Sequence, residues 1–189
     1  MTDLSGLAAV VTGGNDGIGY GIAQALARAG ADIAVWGRRA DRNETAAEAL
    51  AELGVSTTST VCDVADQAQI EAAMAHTLTT LGNVDILVAN AGRGGSGASV
   101  LDVGLDEWRA VTAVNLDGAF YTAREAAKHM VARHEEGDTA GGSIVFTSSG
   151  SSEFGAASGQ AYGATKAGVN AMMRGIAVAH ARHGIRCNS

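Results

Sequence analysis

The chain alternates short apolar runs with longer segments in which apolar residues recur every three or four positions. The short runs, bounded by glycine or polar residues, are typical of buried strands, and the longer period is typical of amphipathic helices. Strands are predicted at 7–12, 32–36, 55–61, 85–89, 143–147 and 185–189. Helices are predicted at 18–29, 43–53, 66–81, 106–134 and 159–183. This alternation predicts an α/β fold, a doubly wound parallel sheet with helices on both faces.

The composition indicates one globular domain that spans residues 1–189. Apolar residues make up 47% of the chain and charged residues 17%, which excludes a disordered protein. The net charge of -7 includes no basic cluster, so no nucleic-acid or membrane partner is expected. The start has no signal-peptide pattern. Cys62 and Cys187 lack metal-site spacing, so we expect reduced thiols in a cytoplasmic protein and no metal site.

A glycine-rich turn follows the first predicted strand and reads Thr12-Gly13-Gly14-Asn15-Asp16-Gly17-Ile18-Gly19. Strand, turn, helix and second strand together have the length of a βαβ unit. Glycines in such a turn let the main chain approach a pyrophosphate, while the start of the helix supplies N–H groups and a positive dipole end. In the helix itself the residues at helical spacing are Ile18, Ile22, Ala25, Leu26 and Ala29. The turn predicts a dinucleotide site, although a tight structural connection would use the same glycines.

The end of the second strand bears on the choice of cofactor. A carboxylate there would bind the adenosine ribose of NAD, but the chain has Trp36-Gly37-Arg38-Arg39 and no acid. The guanidinium of Arg38 could pair with the 2′-phosphate of NADP. Asp16 weakens this case by adding a negative charge, and both arginines could be solvated charges that open the next helix. We predict NADP(H), with NAD(H) as the alternative.

Other polar and small residues follow the third and fourth strands. Asp63 could hydrogen-bond an adenine amino group, or it could cap the helix that begins near Asp66. Asn90, Ala91 and Gly92 are small enough to leave room for a flat ring or a ribose across the strand ends. Both groups would lie at the edge of the sheet where ligands of such folds bind.

The stretch from Ser149 to Lys166 carries groups suited to proton transfer. Tyr162 and Lys166 are four positions apart, so on a helix they share one face, and Ser149 lies on the loop after the fifth strand. Asn115 falls on or beside the apolar face of its helix, and its position alone favours a structural amide bonded to neighbouring main chain. A hydroxyl, a phenol and an ammonium at a strand end indicate acid–base chemistry.

Together these motifs resemble the short-chain dehydrogenase/reductase family. The turn from Thr12 to Gly19 is similar to its cofactor turn, and Asn90-Ala91-Gly92, preceded by Ala89, is similar to its Asn-Asn-Ala-Gly element. The residues that match its catalytic tetrad are Asn115, Ser149, Tyr162 and Lys166. The resemblance covers the chain from Leu7 to Ser189 and implies a Rossmann-like sheet.

The resemblance implies an oxidoreductase that moves a hydride between a nicotinamide cofactor and a ketone or secondary alcohol. Tyr162 would exchange a proton with the substrate oxygen, while the Lys166 ammonium would stabilise the phenolate and bind the nicotinamide ribose. Ser149 would polarise the carbonyl, and Asn115 would hold a water that connects Lys166 to solvent. The alternative is a dinucleotide-binding sensor or scaffold without turnover, which has no need of Tyr162 and Lys166 together.

The residues expected to contact the cofactor are Gly13, Asn15, Gly17, Ile18, Gly19, Arg38, Asp63, Val64, Asn90, Ala91, Gly92, Tyr162 and Lys166. The long helices at 106–134 and 159–183 are expected to join copies of the chain into a homodimer or homotetramer. Family members continue through a Pro-Gly element, a substrate-covering loop and a last strand, whereas this sequence has no proline. The 189 residues are therefore expected to be part of a longer protein, without the usual last strands and substrate loop.

Overall fold

A computed structural model of the protein describes residues 2–97, 99–155 and 157–189. In that part of the chain a single sheet has six parallel strands in the order β3-β2-β1-β4-β5-β6. The strands are β1 (Ala8–Thr12), β2 (Asp32–Gly37), β3 (Thr57–Val61), β4 (Ile86–Ala89), β5 (Gly142–Phe146) and β6 (Ile185–Asn188). The predicted α/β fold class is confirmed, and each predicted strand is present with small shifts at its ends.

Six α-helices connect these strands within the described ranges. They are α1 (Gly17–Arg28), α2 (Ala40–Ala51), α3 (Gln67–Leu81), α4 (Leu105–Thr112), α5 (Gly118–Glu135) and α6 (Gln160–His180). The helix predicted at 106–134 is α4 and α5 joined by a π-helical turn at Ala113–Asp117. The start predicted for α2 at Asn43 is wrong, because the exposed residues from Ala40 to Arg42 already form its first turn.

Alternate residues of the central strands β1, β2 and β4 enter two different apolar cores. On one face Val10, Ala34 and Leu87 pack with side chains of α3, α5 and α6. On the other face Val11 and Val35 pack with side chains of α1 and α2. Because successive side chains of a strand point to opposite faces, this division confirms a sheet with helices on both sides.

The buried stripe of α1 differs from the predicted one. Gly19, Ala23 and Ala27 are buried, whereas Ile18 is 70% exposed and Ile22 is only partly buried. Small residues let the axis of α1 approach the sheet closely, so the large side chains lie beside the contact rather than in it. The interpretation of Ile18 as part of the apolar face is therefore wrong.

The strand order places the glycine turn beside the segment that follows β4. The chain passes from β1 outward through β2 and β3, and then returns to form β4 on the other side of β1. The order therefore reverses between β1 and β4, and the connections leave a crevice at the carboxyl ends of these two strands. The residues after β1 and after β4 meet at this crevice.

Candidate active site

Hydrogen bonds tie the ends of β1 and β4 together. Thr12 Oγ1 accepts hydrogen bonds from the main-chain N–H groups of Asn90 and Ala91, both at 2.9 Å. The Asn90 amide donates to the Thr12 carbonyl at 3.0 Å, and its Oδ1 accepts a hydrogen bond from Thr147 Oγ1 at 3.1 Å. The Asn90 side chain therefore links the ends of β1, β4 and β5.

The glycine turn after β1 leaves no room for side chains at Gly13, Gly14 and Gly19, and a Cβ on Gly14 would lie 2.9 Å from the Val11 carbonyl oxygen. Gly13 has a φ of 63°, and a Cβ there would lie 3.1 Å from Asn90 Nδ2. A Cβ on Gly19 would collide with the Gly13 carbonyl oxygen. Gly17 opens α1, where the Asp16 carboxylate accepts a hydrogen bond from its N–H at 2.8 Å. The turn thus offers bare main chain and the positive end of α1, an arrangement that binds pyrophosphate.

A cleft of ≈ 530 Å³ opens at the carboxyl ends of these strands. The predicted cofactor residues that line it are Gly13, Asn15, Arg38, Asp63, Val64, Ala91 and Gly92. Lining residues that were not predicted are Trp36, Gly37, Arg39, Cys62, Arg93 and Val114. Most of these adjoin a predicted residue at a strand end, so the last residue of each apolar run was the signal that could have found them. The other residues predicted to contact the cofactor lie outside this lining; they are Gly17, Ile18, Gly19, Asn90, Tyr162 and Lys166.

The residues of the cleft fit a nicotinamide dinucleotide. The glycine turn gives a pyrophosphate access to main-chain N–H groups. The small residues Ala91 and Gly92 leave space in the cleft at the end of β4. A Cβ on Gly92 would lie 3.3 Å from Asn115 Oδ1 and 3.8 Å from Lys166 Nζ. Gly92 therefore separates the cleft from the predicted tetrad by the width of one small residue, so a ligand in the cleft can reach both.

Arg38 is exposed at the rim of the cleft, beside Arg39. The Asp16 carboxylate pairs with Arg42 at 2.6 Å and with Arg39 at 3.5 Å. Exposed pairs of this kind contribute little to stability, but they place two guanidinium groups around the one carboxylate that was expected to oppose a 2′-phosphate. Asp16 is thus engaged with the neighbours of Arg38.

Asp63 lines the cleft and does not cap α3. The cap is Asp66, whose Oδ1 accepts hydrogen bonds from the N–H groups of Ala68 and Gln69 at 2.9 and 3.3 Å. Asp63 Oδ1 instead accepts a hydrogen bond from the Ala65 N–H at 3.0 Å, in the turn before the helix. The capping role considered for Asp63 is therefore wrong, and the adenine contact stays a prediction.

Tyr162 and Lys166 lie one turn apart on α6. Lys166 is buried, and its Nζ donates a hydrogen bond to the Thr147 carbonyl at 2.5 Å. The same Nζ is 5.6 Å from the centre of the Tyr162 ring. Burial lowers the pKa of Lys166 from its ordinary value, because the ammonium has lost hydration. A poorly hydrated cation beside a phenol favours negative charge on the phenol oxygen.

Asn115 occupies the π-helical turn and is 1% exposed. Its Oδ1 accepts a hydrogen bond from the Arg93 N–H at 2.8 Å, and its Nδ2 donates to the Arg93 carbonyl at 2.9 Å. Nδ2 also reaches Thr165 Oγ1 at 3.3 Å. The amide thus has the structural role that its helix position favoured, and π turns recur at functional sites. The predicted water-holding role of Asn115 stays a prediction.

Ser149 lies after β5, at the start of a 3₁₀ turn formed by Gly150–Ser152. Its Oγ accepts a hydrogen bond from the Ser151 N–H at 3.2 Å. This bond uses a lone pair of the hydroxyl oxygen, so the hydroxyl hydrogen stays free to donate to a carbonyl oxygen. The geometry suits a group that polarises a substrate carbonyl.

A second cavity of ≈ 480 Å³ lies on the outer side of α5 and α6, away from the strand ends. Phe120, Ala127, Val131, Met172 and Ile176 form its apolar part. These are the two helices that were expected to join copies of the chain.

Over the ranges that the structure describes, no helix is both long and apolar enough to cross a membrane, and no three His, Cys, Asp or Glu side chains are grouped for a metal ion.

Comparison with known proteins identifies similar sequences and folds. A family model described as short chain dehydrogenase matches residues 7–189. The chain is 37% identical to L-rhamnose 1-dehydrogenase (NAD(P)(+)) of Sphingomonas sp. (strain SKA58), with all of this chain and 72% of that protein aligned. A crystal structure of a short-chain type dehydrogenase/reductase from Mycobacterium marinum has a TM-score of 0.91 at 35% identity, covering 99% of this chain and 72% of that one. Carveol dehydrogenase from Mycobacterium avium in complex with NAD has a TM-score of 0.92 at 28% identity, covering 100% and 70%.

Proposed function

We propose a specific chemistry for this chain, which belongs to the short-chain dehydrogenase/reductase family. Members of this family oxidise alcohols or reduce ketones with a nicotinamide cofactor. In this chain, we propose, the preferred cofactor is NADP(H), and Tyr162 is the acid and base. The observation that carries the proposal is the buried Lys166 ammonium beside the Tyr162 ring, within reach of a cleft that fits a dinucleotide. A sensor or scaffold without turnover would have no need of Tyr162 and Lys166 together. We place this chemistry in one dinucleotide-binding catalytic domain that spans 1–189.

The cofactor would supply or accept the hydride, and the residues of this chain handle the proton. The Ser149 hydroxyl donates to the substrate oxygen and orients it, because its own lone pair is engaged by the Ser151 N–H. Tyr162 gives its proton to that oxygen during reduction and takes it back during oxidation. Lys166, one helical turn from Tyr162 on α6, stabilises the phenolate. Asn115 holds the main chain at Arg93 in place through two hydrogen bonds.

A mixed substrate panel tests the proposed activity. We would assay the oxidation of L-rhamnose and carveol with NAD+ and NADP+, and the reduction of cyclohexanone with NADH and NADPH, following the nicotinamide absorbance. Turnover of at least one ketone or secondary alcohol is expected, at kcat values on the order of 1 to 10³ s⁻¹ that enzymes commonly reach. The proposal is contradicted if both cofactors bind and no compound of either class is turned over.

The preference for NADP(H) rests on Arg38. This side chain is exposed at the rim of the cleft, and no carboxylate stands at the end of β2 to bind an adenosine ribose. The nearby Asp16 is paired with Arg39 and Arg42, which reduces its repulsion of a phosphate. A guanidinium can hold a 2′-phosphate through two charge-assisted hydrogen bonds.

Replacing Arg38 by alanine is expected to weaken NADPH binding by about 10-fold or more, the loss of a charge-assisted hydrogen bond, and to leave NADH binding nearly unchanged. Calorimetric titration of each cofactor measures both values. Arg28→Ala, in the last turn of α1, is the matched control for charge and should change neither affinity. A wild-type protein that binds NADH as tightly as NADPH would remove the role given to Arg38.

We also propose that α5 and α6 join copies of the chain into a homodimer or homotetramer through the apolar groove between them. Val131→Glu would bury a carboxylate in that interface and is expected to release single chains, as seen by light scattering. Val178, on α6 but 83% exposed and outside the groove, provides the control Val178→Glu. An unchanged mass for Val131→Glu, or an equal loss in both variants, would overturn this arrangement.

A cytoplasmic location is part of the same proposal. Cys62 and Cys187 are free and buried. Burial, with Asp63 and Asp66 nearby, raises the pKa of the Cys62 thiol to about 12, and burial raises that of Cys187 to about 11. Both thiols therefore stay protonated and unreactive at neutral pH, which suits a reducing compartment.

A further inference from the structure

The 3₁₀ turn that carries Ser149 is held by its own hydrogen bonds. The Ser152 hydroxyl donates to the Ser149 carbonyl at 2.6 Å, and the Ser152 N–H reaches the same oxygen at 3.0 Å. The Ser151 N–H donates to Ser149 Oγ at 3.2 Å. The main chain and the side chain of Ser149 are therefore both oriented by the position of residues 151 and 152.

Asn170 fastens this turn to α6. Its Nδ2 donates to Ser152 Oγ at 2.9 Å and to Glu153 Oε1 at 3.2 Å. The Ser152 hydroxyl has one hydrogen, and the Ser149 carbonyl at 2.6 Å is a nearer acceptor than Glu153 Oε1 at 3.3 Å. Whichever of these accepts that hydrogen, Ser152 Oγ accepts from Asn170. A continuous chain of hydrogen bonds thus runs from Asn170 through Ser152 to Ser149.

A second contact joins the same turn to the first turns of α6. A Cβ on Gly163 would lie 2.9 Å from the Ser151 carbonyl oxygen, closer than the packing of side chains allows. Gly163 directly follows Tyr162, so the serine turn rests on the helix beside the predicted acid. Tyr162, Lys166 and Asn170 are spaced by four residues and share one face of α6.

We infer that Asn170 is a positioning residue for Ser149, which sets the distance between the serine hydroxyl and the Tyr162 phenol by holding the serine turn to the helix that carries Tyr162. The inference rests on the proposed function, because it assigns Asn170 to the reaction of Ser149 and Tyr162. Two groups that act on one substrate oxygen must be held in fixed relative positions, and small displacements lower the rate steeply. The single helix α6 meets this demand, because it carries Tyr162, Lys166 and the Asn170 side chain that holds the serine turn.

The test is a double-mutant cycle with a substrate from the panel. Asn170→Ala is expected to lower kcat on the order of 10-fold, with the KM of the cofactor changed by less than about twofold, because the cleft is untouched. In a Ser149→Ala background, the same substitution should lower kcat by less than about twofold, since there is no hydroxyl left to position. A purely structural loss would instead lower activity by the same factor in both backgrounds, and that result would overturn the inference.

Arg174→Ala, one turn further along α6 and exposed, is the control and should match the wild type. Amide hydrogen exchange gives a measurement that needs no turnover. Asn170→Ala should raise amide exchange at Ser151, Ser152 and Glu153 well above the exchange in Arg174→Ala. Unchanged protection of these three amides would overturn the inference that Asn170 holds the serine turn to α6. If exchange rises as expected and the wild type turns over no substrate, the proposed function is wrong, but the attachment of the serine turn by Asn170 is confirmed.

Discussion

Tyr162→Phe is expected to lower kcat by about 10³-fold while cofactor affinity stays within about twofold of the wild type. Removing one oxygen deletes the proton that must reach the substrate oxygen, and general acid–base catalysis commonly contributes 10²–10⁴-fold. The ring that packs beside Lys166 remains, so the cleft and the Lys166 contact to the Thr147 carbonyl are preserved. Steady-state kinetics and calorimetric titration of the cofactor measure the two effects separately.

Tyr121→Phe supplies the matched control for this variant. Tyr121 lies on α5, partly buried against the apolar core and outside the lining of the cleft. The same oxygen is removed without touching the site, so kcat and cofactor affinity should both equal those of the wild type. Turnover by Tyr162→Phe at the wild-type rate would refute the assignment of Tyr162 as the acid and base.

Gly19→Ala is expected to weaken cofactor binding by about 10²-fold or more. A Cβ at this position collides with the Gly13 carbonyl oxygen and lies 2.5 Å from Asn90 Nδ2. Main chain and a hydrogen-bonded amide cannot move aside cheaply, so the glycine turn must shift away from the place where a pyrophosphate would bind. Overpacking of this kind also costs about 1–3 kcal/mol of stability, which thermal unfolding without cofactor would record.

The control for the glycine turn is two residues further along α1. A Cβ on Gly21 meets nothing within 4 Å. Gly21→Ala is therefore expected to leave cofactor binding unchanged and to stabilise the protein by about 0.5–1 kcal/mol, because alanine loses less conformational freedom in a helix. Equal affinity for the cofactor in Gly19→Ala and Gly21→Ala would show that the close approach at Gly19 is not needed for binding.

Residues whose roles depend on local spacing could be predicted from the sequence. The step of four between Tyr162 and Lys166 places both on one face of any helix, and the glycine turn after the first strand could be read directly from its residues. The six strands could also be predicted from the sequence, because each apolar run is bounded by glycine or polar residues. These features need no knowledge of the rest of the molecule.

Residues that depend on partners far away in the sequence were predicted poorly. The apolar face of α1 was misplaced because Ala23 and Ala27, not Ile18, contact the sheet. Asp63 was a candidate cap although Asp66 caps α3, since both aspartates precede the helix and only the backbone path distinguishes them. Asn170 carried no motif at all and was found only through its contact with Ser152.

Local patterns in the sequence are enough to predict the succession of strands and helices along the chain, the glycine turn and the pair on α6, because short-range geometry fixes all of these. The contacts between groups distant in the sequence, such as Thr12 with Asn90 and Asn115 with Arg93, depend on the three-dimensional arrangement of the strands. The physical reason is the strand order, which reverses between β1 and β4 and brings the ends of separate segments to one edge. Burial at that edge then removes water from Lys166 and lowers its pKa, an effect that no local pattern of residues contains.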